Sequence, residues 1–404
     1  MNIDILRQKQ EIGAIVFGNH PGIIQSTLDF DYLSGKKSPS IKAIIGVQRN
    51  YLRYFWGSKE IVLPGYVSLI DVPEEIKKGI DLFAVAQSGR RATSACEEAL
   101  EQLPNIVGGM VFAEGVSERN ALKLRSLSKQ RQVFILGPAS VGFLLSGVCK
   151  IGAIGGTLAS QIAGSGIAKA GSTAVVSTSG GMTNEIINMI AGFGGSISFA
   201  GAVGGERYPI LSPVELVNLG INDESTKSIV FFGELGGRDE YEIAQIYKES
   251  GSSKPLVCYI AGEVAESFEN APQFGHAKAM AQSEQETASA KKEALKNAGA
   301  LVADSFSHFE ELIKNSVATS GQINDNNVMD ENVAGLENRK HASFVNNVSS
   351  DKGGDVQILG KDLISFVDDK SLSQVALSMF LGHEPKSAEF SRFFDLSLRL
   401  LVDH

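Results

Sequence analysis

Short, continuous apolar runs alternate with longer stretches of mixed polarity along the first part of the chain. Runs without internal alternation indicate strands that are buried on both faces. They occupy residues 14–17, 43–47, 82–86, 110–113 and 133–136, with helical stretches between them, as at 93–103 and 117–130. Buried strands separated by helices are typical of a parallel sheet covered on both sides. The pattern therefore predicts a doubly wound α/β domain over residues 1–168.

The same pattern restarts at residue 171. Apolar runs occupy residues 174–176, 197–200, 229–232, 256–260 and 300–302. Helices are predicted to begin at Asn184, Asp239 and Glu284, between these runs. We therefore predict a second α/β domain over residues 171–317.

The last part of the chain follows a different pattern. Residues 318–338 are polar, rich in Asn, Asp and Gly, and lack an apolar period, which is typical of a linker. Residues 339–404 become helical in pattern from Ser371 onward, and the sequence stops at His404 without a C-cap. Because about 66 residues is little for an independent core, we expect residues 339–404 to be the start of a third, truncated domain.

Composition narrows the classes of function. Among the 404 residues, apolar residues make up 43% and charged residues 21%, as expected of a globular protein with buried cores. The balance of 37 basic against 46 acidic residues gives a net charge of −9, which argues against nucleic acid or an anionic membrane as the main partner. No apolar run is long enough to span a bilayer, and the first residues lack a signal-peptide core. We therefore expect a cytoplasmic protein.

The cysteines do not indicate a metal site. Cys96, Cys149 and Cys258 are odd in number, lie far apart, and lack the spacing of metal ligands. We expect them to be buried free thiols in a reducing compartment, and no metal site is predicted in this chain.

The loop after the first predicted strand is a candidate ligand site. Its sequence is Phe17-Gly18-Asn19-His20-Pro21-Gly22, at the position where Rossmann-type folds place a phosphate loop. It lacks the Gly-x-Gly-x-x-Gly spacing, and no acidic residue follows at the usual ribose position. Ordinary NAD binding is therefore disfavoured, and the loop suits another nucleotide-containing ligand or a simple turn. Gly137-Pro138, after the fifth strand, lies at the same edge of the predicted sheet.

A stronger candidate joins a strand to a helix in the second domain. Residues 177–185 read Ser-Thr-Ser-Gly-Gly-Met-Thr-Asn-Glu, so small side chains leave backbone N–H groups exposed at a helix N-terminus. Such an arrangement binds phosphate or carboxylate. A well-capped helix without a ligand would have the same sequence features.

The loop that carries His276 is a candidate for nucleophilic chemistry. His276 lies between Gly275 and Ala277, which leave the imidazole accessible, and neutral imidazole is a usable nucleophile near neutral pH. Glu234, at the end of a strand in the same domain, could accept a hydrogen bond from one ring nitrogen and leave the other free. Taken alone, a loop histidine is more often structural and such a glutamate a solvated charge. Together with the helix N-terminus at 177–185, the pair suits a phosphohistidine intermediate.

An ordered set of motifs resembles the α subunit of succinyl-CoA synthetase. In chain order they are Gly137-Pro138, Cys149-Lys150-Ile151-Gly152, Ser177-Thr178-Ser179-Gly180-Gly181, Gly204-Gly205-Glu206-Arg207-Tyr208-Pro209, Gly233-Glu234-Leu235-Gly236-Gly237 and Gly275-His276-Ala277. Residues 27–32, 56–61, 273–277 and 286–291 look closer to ATP citrate lyase. Residues 339–344 resemble the start of the citrate-synthase-like domain of that family, and Asp403-His404 resembles the start of its Ala-Asp-His-Gly segment. The resemblance covers nearly the whole chain.

The resemblance implies a fold and a set of roles. The fold would be a Rossmann-like CoA-binding domain, a flavodoxin-like ligase domain, a linker and the helical start of a citrate-synthase-like (citryl-CoA lyase) domain. His276 would be phosphorylated, with Glu234 as its partner. The phosphoryl group and then citryl phosphate would be held by Ser179, Gly180 and Gly181. CoA would bind through Gly18, Asn19, Gly22, Gly46, Gln87, Glu114, Gly137 and Pro138. His404 would contact citrate or oxaloacetate in the lyase domain.

The resemblance also implies a reaction and partners. The chain would be a subunit of an ATP citrate lyase that forms citryl-CoA from citrate, CoA and ATP, with cleavage to acetyl-CoA and oxaloacetate in the full-length enzyme. An ATP-grasp (β-type) subunit would hold ATP and Mg²⁺, so we expect a hetero-oligomer. By analogy alone, a separate-subunit lyase fits the reductive tricarboxylic acid cycle. The alternatives are a succinyl-CoA or citryl-CoA synthetase subunit without lyase activity, and a CoA-binding module without turnover.

Two positions depart from the pattern of the family. The CoA-contacting loop after the second strand reads Pro-Gly-Lys-Gly-Gly in the synthetases, whereas this chain has Gly46-Val47-Gln48-Arg49-Asn50. The lysine contact of the family therefore has no matching residue there. Lys278 replaces the usual glycine after His-Ala and adds a positive charge beside the site.

Overall fold

The computed structural model describes residues 3–268, 272–273, 275–317, 333, 335–341, 349–352 and 355–401. The chain forms two compact units, Met1–Lys340 and His341–His404. The first unit contains two large sheets that follow one another along the chain.

The first sheet has seven strands and is mostly parallel. Its strands are β1 (Ala14–Phe17), β2 (Ile41–Ile45), β3 (Tyr51–Trp56), β4 (Lys59–Tyr66), β5 (Leu82–Val85), β6 (Gly108–Val111) and β7 (Phe134–Leu136). They lie in the order β3-β4-β2-β1-β5-β6-β7, with β3 antiparallel to β4 and the other pairs parallel. The parallel strands alone have the order 3-2-1-4-5-6, which is that of a Rossmann fold and confirms the predicted fold class.

The sequence pattern does not predict the hairpin of β3 and β4. Exposed and partly buried positions are mixed along both strands, so no continuous apolar run marks them. Gly57 forms the turn with a φ of +57°, and a Cβ at this position would lie 2.6 Å from the ring of Tyr32. Glycine therefore lets the hairpin approach α2 (Pro21–Leu33) closely.

The second sheet also has seven strands. They are β8 (Gly142–Leu145), β9 (Cys149–Gly152), β10 (Thr173–Ser177), β11 (Ile197–Ala202), β12 (Ser228–Glu234), β13 (Leu256–Ala261) and β14 (Leu301–Val302). They lie in the order β14-β13-β12-β10-β11-β8-β9, and β8 pairs antiparallel with both β11 and β9. The five parallel strands from β10 onward have the order 2-1-3-4-5 of a flavodoxin-like fold, as expected.

Hydrogen bonding assigns residues 142–152 to the second sheet. The sequence pattern places the change of domain later, at residues 168–171, because a short antiparallel hairpin has no helix to mark where the sheet changes. The division into domains at those residues stays a prediction. Gly142 has a φ of +119°, and a Cβ there would lie 1.9 Å from the carbonyl oxygen of Ile151, so this hairpin needs glycine.

Helices pack on both sheets. They are α1 (Asp4–Arg7), α2, α3 (Glu74–Lys78), α4 (Gly89–Gln102), α5 (Glu118–Arg131), α6 (Ala159–Gly164), α7 (Gly180–Gly192), α8 (Pro213–Asn222), α9 (Asp239–Ser250), α10 (Ala288–Asn297) and α11 (Phe306–Ser316). Two helices begin at residues other than the predicted Asn184 and Glu284, because a side chain caps each helix at a different position. Ser179 caps α7, which therefore begins at Gly180, and Thr287 caps α10, which begins at Ala288 after a separate short turn at Glu284–Glu286.

One apolar core joins the two sheets of the first unit. It includes Val16 and Leu136 from the first sheet and Phe143 and Phe199 from the second, each at most 2% exposed. The rings of Phe134 and Phe143 lie 5.1 Å apart between centroids, where the chain passes from one sheet to the other. Because each such buried side chain stabilises the fold by roughly 1.5–3 kcal/mol, this core holds the edges of the two sheets together.

The described residues of the second unit form a small antiparallel sheet and three helices. The strands are β15 (Ser349–Lys352), β16 (Asp355–Ile358) and β17 (Lys361–Asp362), and the helices are Leu363–Val367, Leu372–Leu381 and Ala388–Leu401. Helical structure from Ser371 onward was expected, and Ser371 and Gln374 form a capping box there. The sheet was not predicted. His404 lies outside the described residues. Across the part of the chain that the structure describes, no helix is both long and apolar enough to cross a membrane.

Candidate active site

The carboxyl ends of four neighbouring strands in the second sheet bring the candidate residues to one edge. The strands β11, β10, β12 and β13 are adjacent and parallel. Ser177, the last residue of β10, pairs with Ala202 and Phe232, and Glu234 pairs with Ala261. The segments that follow β10, β11 and β12 therefore lie side by side, although they are far apart in sequence.

The segment after β10 forms the N-terminus of α7. The side chain of Ser179 accepts a hydrogen bond from the backbone N–H of Met182, and Ser177 Oγ bonds both the N–H and the carbonyl of Ser179 at 2.9 Å. A Cβ on Gly180 would lie 2.4 Å from Val141, whereas the Cβ position of Gly181 is open within 4 Å. The first N–H groups of α7 have no partner inside the helix. They are available to an anion that approaches Gly181.

His276 and Glu234 form a direct hydrogen bond. His276 Nδ1 lies 2.7 Å from Glu234 Oε2, the glutamate side chain is 9% exposed, and the imidazole is 40% exposed. Because an ionised carboxylate only accepts hydrogen bonds, Nδ1 carries the proton, and in the neutral ring Nε2 has the free lone pair. The pair therefore presents a nucleophilic nitrogen to solvent and keeps its orienting carboxylate buried.

The hydrogen bond to Glu234 raises the pKa of His276 above its ordinary value. Partial burial of the ring opposes this change, and the charges of Glu234, Glu114 and Glu206 add to it. The nearby carboxylates thus favour the imidazolium form. They also stabilise positive charge that develops on the ring when Nε2 attacks an electrophile.

Two glycines after β11 make room for the imidazole. A Cβ on Gly205 would lie 2.2 Å from Cγ of His276, so only glycine allows the ring to lie against this backbone. Gly204 has a φ of +91°, and a Cβ there would lie 2.0 Å from the carbonyl oxygen of Pro138. No role for these glycines was expected. The signal that could have identified them is the Gly-Gly pair directly after an apolar run.

Buried lysines support the two loops of the site. Lys278 Nζ forms an ion pair with Asp239 at 2.6 Å, and its backbone N–H donates to the carbonyl of Gly205. Burial lowers the pKa of Lys278, but the charges of Glu240 and Asp239 and the bond to Asp239 outweigh it, so the pKa is raised. Lys278 thus connects the His276 loop to the start of α9.

Lys291 lies under the Glu234 loop. Its Nζ donates to the carbonyl oxygens of Glu234 and Gly236 at 2.8 and 2.6 Å, and it forms an ion pair with Glu240 at 2.7 Å. Both charged side chains are fully buried. Desolvation lowers the pKa of Lys291. Glu240 compensates the buried charge of Lys291. Because Lys291 also donates to two carbonyl oxygens of the loop, the pair holds the backbone that carries Glu234.

The candidate CoA residues of the first sheet meet at the carboxyl ends of β1, β2 and β5. A Cβ on Gly46 would lie 2.7 Å from Gln87 Nε2, and one on Gly18 would lie 3.1 Å from Gln87 Cγ. Asn19 Oδ1 accepts from the hydroxyl of Tyr54 at 2.5 Å, and burial raises the pKa of Tyr54 to about 12. Gly22 lies in the first turn of α2 beside the capping side chain of His20.

Gly137, Pro138 and Glu114 connect this edge to the His276 site. Ile210 N–H donates to the carbonyl of Gly137 at 2.8 Å, and Pro138 contacts Gly204 as described above. The N–H of Gly115 lies 3.4 Å from Glu206 Oε1. The predicted CoA residues and the predicted phosphohistidine therefore lie on adjoining edges. Among the described residues, no group of three or more His, Cys, Asp or Glu side chains is placed to hold a metal ion.

The chain is similar in sequence to a known family and to known proteins. Residues 176–301, which contain Glu234 and His276, match the CoA-ligase family. "Probable ATP-citrate synthase subunit 1" of Schizosaccharomyces pombe is 31% identical over 97% of this chain and 65% of the relative. "ATP-citrate synthase" of Homo sapiens is 34% identical over 97% of this chain and 36% of the relative.

A solved structure of an ATP citrate lyase is also similar to this chain. ATP citrate lyase from Methanothrix soehngenii, in complex with citrate and coenzyme A, superposes with a TM-score of 0.73 at 32% identity over 98% of this chain and 66% of that chain. The chain thus spans 36% to 66% of the length of these three relatives. It carries a CoA-ligase domain and belongs to the family of the ATP-citrate synthases, or ATP citrate lyases.

Proposed function

We propose that this chain is a subunit of an ATP citrate lyase, or part of one, and that it forms citryl-CoA through a phosphoryl group on His276. The observation that carries the proposal is the 2.7 Å hydrogen bond between His276 Nδ1 and Glu234 Oε2 at the edge where α7 begins. Similarity to ATP-citrate synthases along 97% of the chain supports citrate as the acid.

In the first step, Nε2 of neutral His276 attacks the γ-phosphorus of ATP. A P–N bond forms, the bond from this phosphorus to the bridging oxygen breaks, and ADP leaves. Glu234 accepts the Nδ1 hydrogen bond throughout and stabilises the charge on the ring. We assign ATP and Mg²⁺ mainly to an ATP-grasp partner, where Mg²⁺ would neutralise phosphate charge.

In the second step, a carboxylate oxygen of citrate attacks the phosphorus, the P–N bond breaks, and citryl phosphate forms. We assign Ser179, Gly180 and Gly181 to hold the phosphoryl group and then citryl phosphate. Two properties support this role. The free N–H groups and the positive end of the helix dipole favour an anion at the start of α7, and the space beside Gly181 is open.

In the third step, the sulfur of CoA attacks the acyl carbon of citryl phosphate. The C–S bond forms, the C–O bond to phosphorus breaks, and the thiol proton ends on the released phosphate. CoA would lie along Gly18, Asn19, Gly22, Gly46, Gln87, Glu114, Gly137 and Pro138. The contact of Pro138 with Gly204 supports this route, because it places that edge next to the His276 loop.

Cleavage of citryl-CoA to acetyl-CoA and oxaloacetate would take place in the citrate-synthase-like domain of the full-length protein, where His404 would contact citrate or oxaloacetate. Similarity to the ATP-citrate synthases covers 97% of the chain and so extends into residues 341–404, which favours this reading over a synthetase without lyase activity. A cytoplasmic location is supported by Cys96, Cys149 and Cys258, which are buried and free.

The test is product formation by the chain together with an ATP-grasp partner, Mg²⁺, ATP and CoA. Mass spectrometry should detect citryl-CoA, or acetyl-CoA with oxaloacetate from the full-length protein, when citrate is supplied. Succinyl-CoA formed from succinate at a comparable rate would favour the synthetase alternative. CoA binding without any acyl-CoA product would favour the binding module.

A further inference from the structure

The hydroxyl of Tyr54 fixes the orientation of the Asn19 amide in the loop after β1. Tyr54 is 5% exposed, and its hydroxyl donates to Asn19 Oδ1 at 2.5 Å. Burial raises the pKa of Tyr54 to about 12, so the hydroxyl keeps its proton. If the amide were turned over, this buried proton would have no acceptor among the described residues, which is costly. The amide oxygen of Asn19 therefore faces Tyr54.

This orientation leaves the amide nitrogen of Asn19 as a hydrogen-bond donor. Asn19 is exposed, and within the described part of the chain no residue accepts a hydrogen bond from its Nδ2. The residue lies two positions before Pro21, the first residue of α2. Loops that lead from a parallel strand into a helix are where doubly wound folds bind phosphate groups. An amide held in one orientation at this place suits a ligand with anionic oxygens.

Gln25 fixes the hairpin that carries Tyr54 on α2. Gln25 Nε2 donates to the carbonyl of Phe55 at 3.0 Å, and the N–H of Phe55 donates to Gln25 Oε1 at 3.0 Å. Because β3 is the edge strand of the first sheet, its outer backbone groups have no further strand to bind. The side-chain amide of Gln25 binds those of Phe55 and so holds the residue next to Tyr54.

Asp29 and Arg339 hold the same hairpin at a second point. Asp29 Oδ1 accepts from Gln25 Nε2 at 2.8 Å, and the two carboxylate oxygens accept from Arg339 Nη1 and Nη2 at 2.8 and 2.7 Å. Arg339 Nη1 also donates to the carbonyl of Gly57, in the turn of the hairpin, at 3.3 Å. The side chains of Arg339 and Asp29 are only 11% and 2% exposed, so each charge requires the other. Tyr54 thus belongs to a rigid element.

We propose that Tyr54 is a positioning residue for CoA, which turns the Asn19 amide so that Nδ2 donates to the diphosphate of CoA. This rests on the proposed function, in which Asn19 belongs to the CoA site. The diphosphate is favoured because β1 lies in the centre of the sheet, where the strand order reverses. Doubly wound folds bind the diphosphate of dinucleotides at that point, and CoA has a diphosphate between its nucleotide and its pantetheine arm.

The first experiment compares three ligands by calorimetry in the 404-residue chain. Tyr54→Phe keeps the ring and removes the hydroxyl, so we expect CoA to bind about fivefold more weakly, as for the loss of one hydrogen bond. Dephospho-CoA, which lacks the 3′-phosphate, should lose the same factor, whereas pantetheine, which lacks the diphosphate, should bind as before. The matched control is Tyr247→Phe, which removes a hydroxyl that donates to the carbonyl of Lys254 at 3.0 Å and should leave CoA binding intact.

Each other outcome contradicts part of the inference. Unchanged CoA binding in Tyr54→Phe would overturn it, and so would an equal loss for pantetheine, because that loss would indicate a general distortion of the site. Unchanged binding of dephospho-CoA would move the contact to the 3′-phosphate and refute the assignment to the diphosphate. Failure of the wild type to bind CoA would instead refute the CoA site of the proposed function.

The second experiment tests whether Tyr54 acts through Asn19. Asn19→Ala should weaken CoA binding about fivefold, and Tyr54→Phe added to it should cause no further loss, because no amide remains to be oriented. A double variant whose affinity falls by the product of the two factors, about 25-fold, would show that the two residues act independently. That result would overturn the positioning role of Tyr54.

Discussion

The two sheets of the first unit share a parallel architecture, yet their carboxyl edges differ in chemistry. The edge of the first sheet combines glycines with neutral side chains, such as Gly18, Gly46 and Gln87. The edge of the second sheet carries the His276–Glu234 pair, supported by the buried cations of Lys278 and Lys291. Glycines let a ligand approach the backbone, whereas buried charges control a proton and a nucleophile. In the proposed function, the edge of the first sheet therefore binds a ligand and the edge of the second sheet carries the reaction.

The largest loss of phosphorylation rate should come from removing the carboxylate of Glu234, at the edge of the second sheet. Glu234→Gln keeps the size of the side chain but no longer stabilises a positive imidazole or fixes the Nδ1–H tautomer. We expect the rate of His276 phosphorylation to fall on the order of 10³-fold, measured by rapid quenching with labelled ATP and the partner. CoA affinity should be unchanged. A rate within threefold of wild type would remove Glu234 from the site.

The next largest change should come from Gly205→Ala. The new Cβ would overlap the ring of His276, at 2.2 Å from Cγ, and displace it. A displacement of about 1 Å costs on the order of 10²-fold in rate. The control is Gly164→Ala, where the Cβ position is open within 4 Å. Normal phosphorylation in Gly205→Ala would show that the ring does not need this contact.

At the carboxyl edge of the first sheet we expect a smaller effect, on CoA binding rather than on phosphorylation. Gly46→Ala places a Cβ 2.7 Å from Gln87 Nε2 at a φ of +83°. We expect CoA to bind roughly fivefold more weakly by calorimetry, because backbone strain of about 1 kcal/mol falls on the binding loop. His276 phosphorylation should not change. Gly35→Ala, which has a φ of +75° and an open Cβ position, imposes similar strain elsewhere and should leave CoA binding intact.

The smallest effect is a shift in pH dependence. Because Glu234 raises the pKa of His276, the neutral nucleophile forms at higher pH than for an ordinary histidine. The rate of phosphorylation should rise with pH to a plateau, with a midpoint above about 6.5. Glu234→Gln should move the midpoint down. The same interaction contributes stability that is complete below the unfolded pKa and is lost as pH rises through the folded one. A midpoint below 6.5 in the wild type would contradict the geometry.

Sequence reasoning succeeded where burial leaves a simple pattern. Parallel strands covered on both faces, such as β12 at Ser228–Glu234, are continuous apolar runs in the sequence. Each of the ten strands that such runs predict is present in the structure. The hairpins β3–β4 and β8–β9 were missed because their strands are short or mixed in polarity.

Side-chain contacts between residues far apart in the sequence could be predicted only in part. Glu234 and His276 were paired because each lies at the end of, or after, a strand of one sheet. Lys278–Asp239, Lys291–Glu240 and Arg339–Asp29 have no local signal, since each depends on helix placement that the sequence pattern does not specify.

The most direct test of the central claim is whether His276 accepts the phosphoryl group. The chain, its ATP-grasp partner, Mg²⁺ and γ-labelled ATP should give one acid-labile, alkali-stable label per chain, located on His276 by mass spectrometry. His276→Ala should abolish the label, and His383→Ala, which alters an exposed histidine of the C-terminal unit, should retain it. Full labelling of His276→Ala would contradict the account.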